Sequence, residues 1–290
     1  MRLFNGILAS TVACFAVCAA SAATLEEAKQ KFAQREFTEA GIEAATEAVN
    51  IAREVVKQSS TTEAKLFLSK AIYFVGSAVT DTDTKLAKFS EGILVAQEVL
   101  MQKFSLDVTK FSSGEAKALD ETRQKATDLK GQANIDLAVL SEALYLRAIN
   151  LGGWGQAKGV SGALGRWPEL RNSLFMAKFI DENAENFGAS RVLGRAYFAL
   201  PTVAGGDLNK SGENLEAAYE NTLHNTLGIS ISATTNVYYS EYLNKVGQRP
   251  LAVALLTKLA NADVRVLDPE SVPETLQQVT KARRLLDEWR

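Results

Sequence analysis

The sequence predicts an all-α protein, a degenerate tetratricopeptide-like helical-repeat bundle of the α-solenoid type. Three observations carry that expectation. Only five prolines occur in 290 residues, and alanine, leucine, glutamate and lysine dominate, which favours helix. Apolar residues recur at helical spacing in segment after segment, with no convincing alternating strand. Finally, Leu193, Gly194 and Tyr197 stand in the L-G-x-x-Y spacing within GASRVLGRAYFALPTVAGGD. In that pattern a small residue admits a neighbouring helix, and an aromatic residue fills the gap one turn later.

The chain opens as a secreted one does. Met1-Arg2 forms a short positive region, Leu3 to Ala19 an apolar one, and Ala20-Ser21-Ala22 an A-x-A cleavage signal. Residues 1–22 are therefore expected to be a signal peptide, and residues 23–290 a single α-helical domain in the periplasm. Both cysteines, Cys14 and Cys18, fall in the leader, so the mature chain is expected to contain no disulfide. Cys14 follows small residues, as a lipid-anchored cysteine would. However, Thr11 occupies the place where a lipobox requires a leucine-like residue, which disfavours anchoring.

From there the helices can be read in order. Thr24 caps a helix opening at Leu25, with Ala28, Phe32 and Phe37 at helical spacing. Ile42, Ala45, Val49, Ala52, Val55 and Val56 mark a second helix, broken at Ser59 to Thr62. Leu66 to Val79 gives a third. After a turn at Asp81 to Thr84, Leu86 to Phe104 gives a fourth. Ser112-Ser113-Gly114 separates these from a helix over Ala116 to Leu129. The long apolar run from Ile135 to Leu151 is expected to be buried and to end at Gly152-Gly153-Trp154-Gly155, since paired glycines are costly in a helix. Trp167-Pro168 is expected to start the next helix, with proline early where its missing N–H costs nothing. Pro201 ends the helix that holds Tyr197, Gly205-Gly206 turns, and Asp207 caps the next helix. Leu215 to Leu227, Val237 to Val246, Pro250 to Ala260 and Pro273 to Trp289 complete roughly a dozen helices.

Charge and motifs exclude several functions. Lys+Arg 32 against Asp+Glu 34 leaves no basic footprint for nucleic acid. His224, the single histidine, is expected on the exposed face of the helix around Ala217 to Leu223, and no cysteine or second imidazole accompanies it for a metal site. There is no G-x-S-x-G elbow and no phosphate loop, and Gly152-Gly153-x-Gly155 does not link a strand to a helix. The carboxylate pairs Glu26-Glu27, Asp181-Glu182 and Asp287-Glu288 are adjacent in sequence, so they do not face each other on a helix. No enzyme activity, cofactor or metal is expected.

The aromatic residues carry the binding candidates. Tyr238 and Tyr242 lie four residues apart on one helix, and Tyr145, Trp154 and Tyr197 come from other helices. With Arg147, Asn150 and Arg195 they can line a pocket for a small organic acid. The alternative is that these aromatics simply fill gaps between packed helices.

Taken in order, Ala143-Leu144-Tyr145, Leu151-Gly152, Leu193-Gly194-x-x-Tyr197, Leu200-Pro201 and Gly205-Gly206-Asp207 give the chain a wider likeness. Tyr238 to Tyr242, Pro250 to Leu256 and Thr280 to Leu286 extend it. The chain resembles the T-components (TatT-like proteins) of TRAP-type solute transporters over about residues 135–286. The resemblance implies a periplasmic, non-enzymatic, repeat-like α protein, forming a trimer with a central pore or cleft. It also implies a partner, the periplasmic TRAP-type solute-binding protein, and a small organic or hydrophobic ligand. The better-known members are membrane-tethered lipoproteins, and the poor lipobox of this chain departs from them. A general periplasmic scaffold for envelope assembly is the alternative function.

Overall fold

The computed structural model describes residues 23–289; the expected leader, with Cys14 and Cys18, lies outside the described residues. Among those residues the chain forms thirteen α-helices. The first seven are α1 (Leu25–Phe32), α2 (Glu39–Ser59), α3 (Thr62–Ala78), α4 (Thr82–Phe104), α5 (Glu115–Lys130), α6 (Leu137–Lys158) and α7 (Val160–Ile180). They are followed by α8 (Ala184–Ala199), α9 (Leu208–Glu220), α10 (Ala233–Lys245), α11 (Arg249–Asn261), the single turn α12 (Val264–Leu267) and α13 (Val272–Glu288). The all-α expectation holds. No described helix is long and apolar enough to cross a membrane.

Side-chain caps set most of the starts. Thr24, Thr38, Thr61, Asp81, Asp136, Asp207 and Ser232 each accept a backbone N–H from the first turn of the helix they precede. Each such cap contributes about 1 kcal/mol. Ser60 and Ser105 end α2 and α4 in the left-handed conformation, with φ of 46° and 49°.

The helices pack pairwise in sequence order, α1 on α2, α2 on α3, α3 on α4, and later α8 on α9 and α10 on α11. Between these, α4 packs on α6 and α5 on α7. Apolar burial is divided among a cluster on α1–α3, a large one centred on α4 to α8, and one on α10 to α13. The small residue of the L-G-x-x-Y spacing does admit a neighbour: a Cβ on Gly194 would come within 2.6 Å of Leu215, so the glycine lets α9 sit close against α8. The Ser211 hydroxyl then donates to the Gly194 carbonyl at 2.9 Å.

Several boundaries differ from the sequence reading. Gly152 to Gly155 do not end α6, which runs on to Lys158. The cost of interior glycine, about 1 kcal/mol each, is offset by close packing: a Cβ on Gly153 would lie 2.5 Å from the Phe89 ring, and one on Gly155 3.3 Å from Ala163. Pro168 does not open a helix either. It lies inside α7, which begins at Val160 after Gly159 (φ 85°) turns the chain. The missing N–H removes one rung, and the remainder of this well-packed helix tolerates the loss. Helix α9 occupies residues 208–220 rather than the expected 215–227, because Asp207 caps it immediately. His224 is consequently in the loop beyond α9, where its Nδ1 accepts from the Thr226 and Leu227 N–H groups. The brief alternation at Ile229 to Ser232 yields one isolated antiparallel bridge, Leu223 with Ser230.

Candidate functional site

Two cavities lie between the helices, and Val192 and Tyr238 line both. The larger, about 500 Å³, is bounded by α6, α7, α8, α10 and α13. That volume lies within the range of small-molecule sites. Its walls are mainly apolar, and the charged residues lining it are Arg166, Arg195 and Lys281, with no carboxylate among them. Glu241 pairs with both Arg195 (3.1 Å) and Lys281 (3.0 Å), so one anion serves two cations. Arg195 and Lys281 also face the Tyr238 ring, at 4.8 Å and 5.6 Å from its centre, and Arg166 lies 4.8 Å from that of Trp154.

Small residues create this space. Gly155 lets α6 approach α7 at Ala163, whereas a Cβ on Gly152, which lines the cavity, would meet nothing within 4 Å. An i, i+3 glycine pair thus closes one point of the helix contact and leaves another open.

The smaller cavity, about 280 Å³, adjoins the first across Tyr238 and Val192. Tyr73 of α3, Tyr145 of α6 and Arg191 of α8 line it with Tyr238. The Tyr145 hydroxyl accepts from Arg191 Nη2 at 2.9 Å. Burial raises the phenol pKa of both Tyr73 and Tyr238, which keeps those hydroxyls protonated as donors.

The eight residues singled out in the sequence divide sharply. Tyr145, Arg195 and Tyr238 line cavities. Arg147 is buried, donating to Ser173 Oγ and to Glu169 Oε2 at 2.8 Å each, and so ties α6 to α7. Burial pulls its pKa down, against the attraction of Glu169. Asn150 is fully buried at the crossing of α3, α4 and α6; its Nδ2 donates to Leu146 O at 2.9 Å, and its side chain occupies the space left by Gly92. The Tyr197 hydroxyl donates to Glu115 at 2.9 Å, and burial, then Glu115, raise its pKa. Its ring meets Trp167 edge-on, behind the larger cavity's wall. Trp154 is stacked by Arg166. Tyr242 stacks on Tyr239 at 6.2 Å and fills the gap left by Gly212 on α9, so it and Tyr238 part company despite their i, i+4 spacing.

Sequence reasoning missed Arg166, Trp167, Arg191 and Lys281. Arg191 was the most legible of these, since it and Arg195 stand four apart on one helix and therefore share a face. The arrangement can hold a negatively charged molecule with an apolar body against cations and aromatic rings. Among the described residues, no group of three His, Cys, Asp or Glu is placed to hold a metal ion. No protein-family model matches this sequence, and no curated protein is detectably similar to it. Among the described residues the chain is all-helical, with two adjoining cavities between its helices.

Proposed function

We propose that this chain is a periplasmic, non-enzymatic binding protein that encloses a small organic acid with an apolar body. In this reading it serves a TRAP-type uptake system as an accessory, T-component-like subunit beside the solute-binding protein. One observation carries the ligand: Arg166, Arg195 and Lys281 line a mainly apolar cavity of about 500 Å³ with no carboxylate on its wall, and Glu241, paired with two of them, balances only one of the three charges. Such a cavity favours an anion electrostatically and buries its hydrocarbon part. The transporter rests on the resemblance over residues 135–286, and the close α8–α9 contact at Gly194 supports its tetratricopeptide-like element. An envelope-assembly scaffold would need a groove long enough for a peptide segment, whereas a cavity of about 500 Å³ is sized for a small ligand.

Native mass spectrometry of the protein released gently from its own cell envelope tests the ligand. The expected result is an added mass of a small acid whose stoichiometry falls by one equivalent in the Gly152→Leu variant, because the new side chain fills the larger cavity. A bare protein mass, or an adduct unaffected by that substitution, overturns it. Light crosslinking and capture tests the partner. Near-stoichiometric recovery of a TRAP-type solute-binding protein supports the transporter role, and recovery of envelope-assembly proteins in its place removes it.

A further inference from the structure

Four cationic side chains are buried among the described residues: Lys65, Arg147, Arg171 and Arg191. Three of them have a carboxylate within ion-pair distance, Glu98 for Lys65, Glu169 for Arg147 and Glu115 for Arg171. Arg191, only 8% exposed, has none among the described residues. Its Nη1 donates to the carbonyls of Glu185 (3.3 Å) and Asn186 (3.0 Å), and its Nη2 to the Tyr145 hydroxyl (2.9 Å) and again to Glu185 O (3.4 Å). Every one of these acceptors is neutral. They satisfy the hydrogen bonds and leave the charge without an ion-pair partner, and a buried charge without a close counter-charge is costly.

A second, independent feature lies at the same place. Glu185, Asn186 and Phe187 all adopt left-handed backbone, with φ of 54°, 54° and 57°. Three consecutive non-glycine residues in that region are strained, and such strain persists where surrounding contacts impose it, commonly at ligand sites. Here the turn aims two carbonyls at Arg191, and Glu185 and Asn186 line the smaller cavity.

The donors around Arg191 suit one chemistry. Tyr145 accepts from the guanidinium, which leaves its own proton to donate, and Tyr238 lines the same cavity. Three acids stand on the cavity wall: Glu274 is paired with Arg35, Asp268 accepts from the Ser271 N–H, and the exposed Glu185 attracts Arg191 without reaching ion-pair distance.

We propose that the smaller cavity is a carboxylate-binding site, with Arg191 supplying the counter-charge and the Tyr145 and Tyr238 hydroxyls the hydrogen bonds. Its ligand is a small organic carboxylate. A guanidinium flanked by O–H donors matches the two oxygens and single charge of that group. This site adjoins the larger cavity and stands on its own residues, apart from the shared Val192 and Tyr238.

The test is calorimetric titration of the full mature chain with pyruvate, lactate, succinate and benzoate. Their primary amides and inorganic phosphate serve as controls. At least one carboxylate is expected to bind below about 1 mM, and its amide is expected not to bind. Arg191→Met should weaken binding by at least about tenfold, with partial recovery in Arg191→Lys. The Tyr145→Phe/Tyr238→Phe double variant keeps both rings, so it reports on the hydroxyls even where Arg191→Met fails to fold; a several-fold loss is expected. Gly152→Leu, which fills only the larger cavity, should leave this binding intact, so failure here is distinguishable from failure of the larger site. Absence of binding by every carboxylate, equal binding by the amides, preference for phosphate, or full binding in Arg191→Met or in the double variant would each overturn the proposal.

Discussion

Arg35 and Glu274 stand 239 residues apart in the chain and meet in a two-pronged ion pair, Nε to Oε1 at 2.9 Å and Nη2 to Oε2 at 3.2 Å. Arg35 Nη2 also donates to the Glu270 carbonyl at 2.9 Å, and its guanidinium lies 4.5 Å from the Phe32 ring centre. The corner between α1 and α2 is thereby fastened to α13 beside the smaller cavity. Planar guanidinium is suited to such paired recognition. Arg35→Ala is expected to cost about 1–3 kcal/mol, and Arg35→Lys to restore only part of it. Hydrogen exchange should speed up in α1 and α13 together while the helices around Leu174 stay protected. Unchanged exchange at both ends would show that the pair fastens nothing.

Gly152 and Gly153 are neighbours in α6 with opposite roles. A Cβ at Gly153 strikes the Phe89 ring at 2.5 Å, whereas one at Gly152 meets nothing within 4 Å. Gly153→Ala should therefore lower stability by about 1–3 kcal/mol through overpacking. Gly152→Ala should raise it by about 0.5–1 kcal/mol through helix propensity. Chemical denaturation of the two variants checks this, and equal effects would contradict the close α4–α6 contact.

Arg147 reads as a fastening rather than a ligand group, and its replacements separate the two roles. Arg147→Ala opens a buried gap and strips Glu169 of its partner, for an expected loss of about 2–4 kcal/mol. Arg147→Met keeps most of the volume, and Glu169 is solvated enough to stand alone, so the loss should fall below about 1.5 kcal/mol. Native mass spectrometry of Arg147→Met should show the same ligand adduct as the parent protein. Loss of the adduct in that folded variant would return Arg147 to the binding site.

Several phenols are held protonated by the fold. Burial raises the pKa of Tyr73, Tyr197, Tyr219 and Tyr238, and pushes Tyr239 up to about 12 with help from Glu216 and Glu220. The unfolded chain ionises its tyrosines near pH ~10. Between about pH 10 and 12 the folded state therefore binds more protons than the unfolded one. Stability is fully present below that window and falls as the pH rises through it. Absorbance at the tyrosinate band should lag behind that of free tyrosine and then rise together with loss of helical circular dichroism. Ionisation of all seven tyrosines around pH 10 in a folded chain would rule out this burial.

The amphipathic helices and their polar caps were legible because both signals are local: Thr24, Asp207 and the spacing Leu193-Gly194-x-x-Tyr197 act within a turn or two of themselves. The failures at Gly152 to Gly155 and at Pro168 share a cause. Glycine and proline read as punctuation in sequence, but the benefit of Gly153 comes from Phe89 on α4, far away in the chain, and that of Gly155 from Ala163, whose approach depends on how α7 folds back on α6. The candidate residues divided for the same reason. Whether a tyrosine faces a cavity or a neighbouring helix depends on five helices for the larger space, and only Tyr145, Arg195 and Tyr238 fell on the right side.

The left-handed turn before Gly188 offers the most direct test of Arg191. Glu185 is exposed, and of its atoms it is the backbone carbonyl that Arg191 uses. Glycine adopts φ near 54° without the steric penalty of an L side chain. Glu185→Gly is therefore expected to stabilise the protein by about 0.5–1 kcal/mol, although glycine lowers stability at most positions. That gain exists only while something holds the turn left-handed. If the guanidinium is what holds it, Arg191→Met frees the turn to relax and the same glycine substitution should then give no gain or a loss. A double-mutant cycle from thermal melts measures this directly, with an expected coupling of about 0.5–1.5 kcal/mol. Strict additivity would mean that the turn is imposed by its own packing, through buried Phe187, and that Arg191 contributes charge to the cavity without shaping it.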